Sequence, residues 1–401
     1  MNLLIVSQYF WPENFRINDL CLELKKRGHN VSVLTGNPNY PTGKFQEGYS
    51  FFNCKVQNYE GIKIYRSPLS SRGKGRGLRL IVNYLSFALF STIRLLFIKE
   101  KFDKILVYQL SPGTIGIPAI IAGKYFKCPI IFYIQDLWPE SLTDAGGINS
   151  KMVINFTDNL MNYFYKKSEF ILVQSTGFIN HLVKKGLSEE KIKYIPNTVE
   201  SFYRPVEKTE QYKNMFPEGF NILFAGNIGF AQDFETIIKA AKELDKNNIN
   251  VNWIILGEGR AKLTAISLIK ELNLENKFFF LGAFPSEEMP HFFSCADLLL
   301  VSLKKSKIFS LTIPSKIQSY LACRKPIIAN LDGIGADIIS EAKAGICSNS
   351  GDYNNLSKNI IMYLVMPDSR RQEFAQNGYN YYLKEFERNI IFNKLEALLL
   401  T

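Results

Sequence analysis

The stretch ILFAGNIGFAQDFETIIKAAKEL, residues 222–244, holds a pattern that recurs along the chain. Residues 222–225 form a short apolar run typical of a buried strand, and residues 235–244 have the apolar spacing of an amphipathic helix. Two glycines, Gly226 and Gly229, lie in the turn between them. A strand that passes through a glycine turn into a helix is the building unit of a parallel α/β sheet.

The same alternation of strand and helix runs through both halves of the chain, and a polar segment at about residues 196–219 interrupts it. We expect an α/β fold with two Rossmann-like, doubly wound parallel-sheet domains that face a cleft. The first domain spans residues 1–198 and the second 199–380, and a helix in 381–401 crosses back to the first. The predicted strands are 3–6, 31–34, 105–108, 130–134, 170–173, 222–225, 251–256, 278–281, 298–301 and 327–329.

Composition limits the class of protein. A chain of 401 residues with 46% apolar residues can bury two hydrophobic cores. The net charge of +11 favours anionic partners, and charge alone leaves phosphates, acidic lipids and nucleic acid open. The six cysteines are scattered singly, which predicts a reducing compartment and no structural metal. The N-terminus enters an apolar run without a basic leader, so we expect a cytoplasmic protein.

Three turns of the second half contain residues suited to an anionic ligand. The turn at Gly226 offers backbone N–H groups at a helix start, and the next strand ends at Gly257 and Gly259. A third helix opens at Pro314 beside Lys316. Singly, each feature is more often a tight turn or a solvated lysine, but together in one domain they favour a phosphate site. The predicted donor-binding residues are Gly226, Asn227, Gly229, Gln232, Gly257, Gly259, Arg260, Pro314, Ser315 and Lys316.

An ordered set of motifs resembles one enzyme family. The second half contains Gly226-Asn227-Ile228-Gly229, Gly257-x-Gly259, Pro314-Ser315-Lys316 and Tyr320-Leu321-Ala322-x-x-Lys325-Pro326, after Ile195-Pro196-Asn197. The first half contains Ser7-Gln8-Tyr9-Phe10-Trp11-Pro12-Glu13, Arg27-Gly28-His29-x-Val31, Thr35-Gly36-x-Pro38-Asn39-Tyr40-Pro41-x-Gly43 and Gln135-Asp136-Leu137-Trp138-Pro139-Glu140. Over nearly its whole length the chain resembles family 4 glycosyltransferases of the GT-B fold. It is similar to the branch that makes bacterial surface polysaccharides, including colanic-acid, O-antigen and capsule N-acetylfucosaminyltransferases.

The resemblance implies a reaction with its substrates. We expect a retaining transfer of a sugar such as N-acetyl-L-fucosamine from a UDP-sugar to an undecaprenyl-diphosphate-linked sugar. No cofactor and no divalent metal are expected, and the chain has no Asp-x-Asp pair. Two departures from the family pattern concern the donor. Leu311 and Ser319 stand where many relatives carry two glutamates, and Asn227 with Gln232-Asp233 replaces the usual basic pair.

Asp136 and Glu13 are the predicted catalytic carboxylates. Asp136 follows the strand at residues 130–134, where many relatives have a histidine beside the transferred sugar. It can accept a proton or stabilise positive charge on the sugar, or it can simply cap the following turn. Glu13 and Glu140 also have a structural alternative, in which each is simply an acidic residue at the start of a helix. The predicted acceptor-binding residues are Arg16, Asn39, Tyr40, Gln135, Trp138 and Glu140.

A basic, apolar stretch suggests a membrane surface. A glycine-rich run with three basic residues precedes the helix at residues 78–98, which contains too many polar residues to span a bilayer comfortably. It suits peripheral attachment to the anionic inner face of the plasma membrane, and a buried helix behind a basic loop is the alternative. The predicted membrane-facing residues are Arg72, Lys74, Arg76, Leu80, Phe87 and Phe90.

Two other functions fit a two-lobed chain. One is a UDP-sugar 2-epimerase, which would isomerise its sugar nucleotide without an acceptor. The other is a catalytically silent subunit of a heteromeric transferase, which would tolerate loss of the site residues. Nucleic-acid binding is disfavoured because the sequence contains no recognisable module for it.

Overall fold

A computed structural model describes residues 1–73, 75, 77–144 and 150–401. The chain forms two compact units, Met1–Ile195 with Phe392–Thr401 and Pro196–Ile391. The chain leaves the first unit after Ile195, slightly earlier than the predicted boundary at residue 198. Ile195 still donates its N–H to the carbonyl of Val173, over 3.0 Å, whereas Pro196 has no N–H to extend the sheet. The chain returns to the first unit at Phe392, later than the predicted residue 381, because Tyr382 and Phe386 belong to the core of the second unit.

The first unit is built on an eight-stranded sheet. Its order is β3-β4-β2-β1-β5-β6-β7-β8, and every pairing is parallel except that of the edge strand β3 with β4. The central strands are buried along their length, as expected for a parallel sheet covered on both faces. The strands are β1 (Asn2–Val6), β2 (Asn30–Gly36), β3 (Val56–Tyr59), β4 (Ile62–Ser67), β5 (Lys104–Gln109), β6 (Ile130–Ile134), β7 (Phe170–Val173) and β8 (Ile192–Tyr194).

Among the described residues, this unit has six α-helices before its C-terminal segment. They are α1 (Arg16–Lys26), α2 (Leu78–Leu95), α3 (Gly116–Phe126), α4 (Glu140–Asp144), α5 (Lys151–Lys167) and α6 (Thr176–Lys184). The C-terminal residues also belong here: Arg27 donates to Asn393 over 2.6 Å, and His29 Nε2 lies 2.9 Å from Glu396. These contacts tie the last turns of the chain to the connection between α1 and β2.

The second unit is built on a six-stranded, wholly parallel sheet of order β11-β10-β9-β12-β13-β14. The strands are β9 (Asn221–Ala225), β10 (Asn252–Leu256), β11 (Phe278–Gly282), β12 (Leu298–Ser302), β13 (Ile327–Asn330) and β14 (Gly345–Ser348). The helices are α7 (Glu210–Lys213), α8 (Phe234–Lys246), α9 (Lys262–Glu271), α10 (Met289–Cys295), α11 (Lys307–Leu311), α12 (Ser315–Ala322), α13 (Ile334–Glu341), α14 (Tyr353–Leu364), α15 (Asp368–Glu385) and α16 (Arg388–Leu400), whose residues from Phe392 belong to the first unit.

The predicted fold class is confirmed, since both units are doubly wound α/β sheets. Each predicted strand is present within about two residues of its expected bounds. The sequence reasoning missed β3, β4, β8 and β14. These strands lie at or next to a sheet edge, where polar side chains such as Lys63 and Arg66 interrupt the apolar run that marks a central strand.

A buried arginine fixes the carboxyl end of the first sheet. Arg66, in β4, donates to Gln57 of β3 and to the carbonyl of Gly36 at the end of β2, each over 2.8 Å. It also donates to the carbonyl of Trp11 in the loop after β1. Because one guanidinium satisfies groups from three neighbouring segments, the loops at this edge are held in fixed positions.

Candidate functional site

Two glycine turns interlock at the carboxyl ends of β9 and β10. Gly226 donates its N–H to the carbonyl of Leu256 over 2.9 Å, and Ile228 donates to the carbonyl of Glu258 over 2.9 Å. Gly226 has a φ of 137°, and a Cβ there would lie 2.8 Å from Lys316 Cε. A Cβ on Gly257 would overlap the carbonyl of Gly226. Only glycine permits this close approach, which leaves exposed backbone beside a lysine.

Lys316 is brought to the glycine turn from a distant part of the chain. Its Nζ donates to Gln232 Oε1 over 2.7 Å and lies 4.7 Å from the centre of the Phe224 ring. No carboxylate is paired with it among the salt bridges of the described residues. Burial lowers the pKa of Lys316 to about 8. A desolvated cation beside an exposed glycine turn is suited to an anion.

The remaining predicted donor-binding residues surround these turns. Asn227 is exposed and Gly229 half-buried within the first turn, and Gly259 and the exposed Arg260 lie in the second. Pro314 is the N-terminal cap of α12, so the exposed Ser315 and Lys316 form its first turn. The residues that replace the family glutamates differ: Leu311 is half-buried at the end of α11, and Ser319 is buried and donates to the carbonyl of Ser315 over 3.2 Å.

Glu13 lies at the carboxyl edge of the first unit. Its Oε1 accepts hydrogen bonds from the N–H groups of Asn39 and Tyr40, each over 2.7 Å. Burial raises the pKa of Glu13 to about 7, although these bonds and the nearby Arg66 and Arg72 oppose the rise. Glu13 is therefore a carboxyl group that titrates near neutral pH, and it also fixes the backbone of the predicted acceptor-binding loop.

Arg72 belongs to this cluster, which corrects its predicted place on a membrane surface. Its guanidinium lies over the rings of Tyr40 and Tyr9, at 5.0 and 5.8 Å, and donates to Tyr9 Oη over 3.3 Å. Its backbone N–H donates to Asn39 Oδ1 over 3.0 Å. Arg72 therefore faces the aromatic cluster formed by Tyr9 and Tyr40 of the first unit.

Asp136 lies farther along the same edge. Its Oδ2 accepts hydrogen bonds from the N–H and hydroxyl of Ser111, both over 3.2 Å, and the side chain stays partly accessible. Burial raises its pKa, and the bonds from Ser111 limit the rise. Trp138 is buried and donates its Nε1–H to Ser111 over 3.3 Å, so it supports Asp136 and is not open to an acceptor as predicted.

Glu140 is engaged inside the first unit, contrary to its predicted role in acceptor binding. His181 Nε2 and Lys185 Nζ contact its Oε1 over 2.7 and 2.6 Å, and Lys185 also pairs with Asp158 over 2.6 Å. Burial raises the pKa of Glu140, but these two partners outweigh it and lower the pKa to about 2. The carboxylate stabilises the packing of α4 on α6.

The other predicted residues of this unit are more dispersed. Gln135 is buried directly after β6, whereas Arg16 is half-buried at the start of α1. Lys74 and Arg76 lie outside the described residues. Phe87 is fully buried on the inner side of α2, so it cannot face a membrane, and Leu80 and Phe90 are half-buried. Phe90 packs edge-on against Phe51, with ring centres 5.6 Å apart.

Sequence reasoning missed four residues that build this edge: Tyr9, Arg66, Tyr84 and Ser111. Tyr84 joins the two carboxylate clusters, since its hydroxyl interacts with Tyr9 and its ring lies edge-on to Trp138 at 6.1 Å. Tyr9 lies within the motif at residues 7–13 that carries the family resemblance, so the sequence did contain a signal for this residue. Within the part of the chain that the structure describes, no three His, Cys, Asp or Glu side chains gather as metal ligands.

Two family models match the chain. One, described as glycosyl transferases group 1, covers residues 206–381, and the other, a glycosyl transferase 4-like domain, covers residues 14–198. Each match falls almost wholly within one structural unit. The chain belongs to the family 4 glycosyltransferases with the GT-B fold, and it is a glycosyltransferase enzyme.

Proteins similar to this chain match it over different shares of its length. WcaI of Escherichia coli K12, named as a colanic acid biosynthesis glycosyl transferase, is 25% identical over 80% of this chain and 81% of its own. The N-acetylgalactosamine-N,N'-diacetylbacillosaminyl-diphospho-undecaprenol 4-alpha-N-acetylgalactosaminyltransferase of Campylobacter jejuni is 30% identical over 31% of this chain and 32% of its own. The structure of Anabaena HepE in complex with UDP-glucose is similar with a TM-score of 0.70, at 14% identity, covering 100% of this chain and 99% of that one.

Replacing Glu140 tests whether it is structural. Glu140→Gln should lower the free energy of unfolding at pH 7 by about 2–3 kcal/mol while sugar transfer persists. The folded-state pKa lies below the ordinary value of 4.5, so this stabilisation is complete above that pH and is lost as the pH falls towards 2. Denaturant unfolding from pH 7 to 3 measures the effect, with the exposed Glu271→Gln as control. If Glu140→Gln lost acceptor affinity without losing stability, Glu140 would bind the acceptor as predicted from the sequence.

Proposed function

We propose that this enzyme transfers a sugar from a UDP-sugar to a sugar carried on a polyprenyl diphosphate. The observation behind this proposal is Lys316, a cation that pairs with no carboxylate among the described residues and lies beside the exposed glycine turns of the second unit. We assign the nucleotide diphosphate to this place, beside Lys316, Gln232 and the exposed backbone of the glycine turn at Gly226. The UDP-glucose complex of HepE supports a uridine nucleotide as donor.

The acceptor belongs to the first unit in this proposal. The acceptor hydroxyl oxygen forms a bond to the anomeric carbon, the bond from that carbon to the diphosphate breaks, and UDP leaves with the electron pair. The hydroxyl proton passes to Asp136, whose raised pKa and partial exposure suit a proton acceptor. Retention of configuration and independence from divalent metals are part of the proposal, with Lys316 balancing the charge on the leaving group.

The exposed apolar face of α2 supports the proposal of a lipid-linked acceptor. Among the described residues, α2 is the helix that is long and apolar enough to cross a membrane, and only 28% of it is buried. Its exposed face is an apolar stripe with helical spacing, formed by Leu78, Ile81, Val82, Leu85, Leu89 and Ile93. Met152 and Phe156, in the first turns of α5, are also exposed.

Two polar residues near the middle of α2, Asn83 and Ser91, point into the protein, whereas its apolar stripe is exposed. Asn83 is fully buried and accepts a hydrogen bond from Gln8 over 2.7 Å, and the buried Ser91 donates to the carbonyl of Phe87 over 2.5 Å. The exposed cations Arg79, Lys99 and Lys101 lie at the ends of this stretch. We therefore propose that α2 lies in the surface of an anionic bilayer, on the cytoplasmic side where a polyprenyl diphosphate presents its sugar.

The biological product is proposed from the relatives. WcaI is named for colanic acid biosynthesis, and the Campylobacter jejuni enzyme is named for an undecaprenol-diphosphate-linked acceptor. We propose that this chain acts in the synthesis of a bacterial surface polysaccharide, with N-acetyl-L-fucosamine as the transferred sugar. Incubating the enzyme with UDP-N-acetylfucosamine alone should leave the nucleotide sugar unchanged, whereas an epimerase would isomerise it.

Lys316 makes donor binding dependent on pH. Lys316→Met should weaken UDP binding by about 10- to 100-fold, the loss expected for one charge-assisted hydrogen bond. In the wild type, UDP affinity should fall as the pH rises above about 8, because the ammonium that attracts phosphate loses its proton. Lys316→Arg should remove this dependence, since arginine does not titrate there. Calorimetry from pH 6.5 to 9.5 measures each, with the exposed Lys270→Met as control; equal affinities in all variants would refute the assignment.

Asp136 and Glu13 can be separated by their kinetics. Asp136→Asn keeps an oxygen for Ser111 but removes the basic group, so kcat should fall by about 10²- to 10⁴-fold with UDP affinity unchanged. Glu13→Gln keeps an oxygen for the N–H groups of Asn39 and Tyr40, so a smaller effect is expected. Steady-state transfer kinetics give both values. If Glu13→Gln lost more activity than Asp136→Asn, Glu13 would be the base.

Membrane attachment should depend on the outer face of α2. The double substitution Leu85→Glu and Leu89→Glu should reduce sedimentation with phosphatidylglycerol vesicles by at least about tenfold, because it removes two exposed apolar side chains and adds negative charge. Leu263→Glu is the matched control, since Leu263 is an exposed leucine of the second unit. High salt should weaken wild-type binding. Equal sedimentation of the double variant and the control would refute the proposal.

A further inference from the structure

A row of buried amide side chains follows the adjacent parallel strands of the first unit. In sheet order, Asn37 follows β2, Gln8 follows β1, Gln109 ends β5, Gln135 follows β6 and Gln174 follows β7. All five side chains are buried. Parallel strands end at one edge, so these residues, the amide row, lie along the same edge as Glu13 and Asp136.

Within the amide row, some oxygens are satisfied and others are not. Gln109 is bonded to Tyr165 through both amide atoms, over 2.9 and 3.1 Å, so its role is structural. By contrast, Gln8 Oε1, Asn37 Oδ1 and Gln174 Oε1 are buried without a hydrogen-bond partner. Buried polar atoms are normally paired, so three unpaired acceptors on one edge point to a partner from outside the chain.

The other atoms of these amides distinguish their roles. Asn37 Nδ2 donates to the carbonyls of Ser50 and Asn53, over 2.8 and 2.9 Å, which fixes a loop. Gln8 Nε2 donates to Asn83 of α2 over 2.7 Å, which leaves only its oxygen for a ligand. Gln174 donates neither to Asn83 nor to the loop at residues 50–53, and it lies two residues before α6. Gln174 is therefore the member of the row whose replacement disturbs the fold least.

We propose that Gln174 and Gln8 bind hydroxyl groups of an uncharged acceptor sugar, an inference that rests on the transfer reaction proposed above. An amide both donates and accepts hydrogen bonds and carries no charge, which matches a hydroxyl group in either orientation of the amide. The amides themselves offer no cation to pair with a carboxylated sugar, so a neutral sugar is their better match. The amide row thus selects neutral acceptor sugars.

The two glutamines contact different parts of the acceptor. β1 and β7 are three strand intervals apart in the sheet, which is roughly 14 Å at the usual spacing of about 4.8 Å. Sites that far apart act independently, so the effects of the two substitutions should multiply. This separates direct contact with the acceptor from a shared structural disturbance.

The test uses full-length protein and farnesyl-diphosphate-linked N-acetylglucosamine as the acceptor probe. Gln174→Met and Gln8→Met should each raise the KM for this probe by about 3- to 10-fold, and the double variant by the product of the two factors. The dissociation constant for UDP and the melting temperature of Gln174→Met should not change. Gln376→Met, on α15 of the second unit, is the matched control and should match the wild type.

Deoxy analogues of the probe show whether the contact is direct. One analogue that lacks a single hydroxyl should bind the wild type about 3- to 10-fold more weakly than the parent probe, and should lose nothing further with Gln174→Met. If every analogue loses affinity equally in both proteins, or if KM is unchanged, the amides hold only internal water and the inference is wrong. If the wild type binds UDP but not the probe, the lipid-linked acceptor is wrong and this inference falls with it.

Discussion

The rest of the structure depends on one constraint, the burial of parallel strands on both faces of each sheet. Strands such as β6 and β12 are buried at every residue, so apolar side chains occupy both faces. Polar groups then gather where the strands end, since the backbone there turns away from the sheet. In the second unit these ends carry glycine turns beside Lys316; in the first they carry Glu13, Asp136 and the amide row.

The glycine turns of the second unit could be predicted from sequence because their signal is local. A glycine turn lies within a few residues of its strand, and at Gly226 and Gly257 a Cβ would collide with neighbouring atoms, so glycine is required there. The long-range member, Lys316, was still visible because it opens a helix. What the sequence could not give was the partner of Lys316, since Gln232 lies 84 residues away and meets it only in the folded chain.

The first unit was harder to predict because its charged residues are defined by distant partners. Glu140 looked like a loop acid open to substrate, but His181, 41 residues later, meets it in the fold. Arg72 belonged to a basic run that resembled a membrane contact, yet its N–H and guanidinium meet Asn39 and Tyr9. Residue type and spacing carry no information on such long-range contacts. Sequence reasoning therefore found the carboxyl edge of the first sheet but assigned wrong roles to Glu140 and Arg72.

The exposed apolar face of α2 and its buried polar residues are subject to different constraints on substitution. Its inner face is constrained, since Asn83 is bonded to Gln8 of the amide row, whereas its outer leucines contribute nothing to the core. Substitutions among apolar residues on the outer face are therefore nearly neutral for folding. In the membrane arrangement proposed above, the outer face can be matched to a lipid without refolding the protein, while the Asn83–Gln8 bond keeps the inner face fixed.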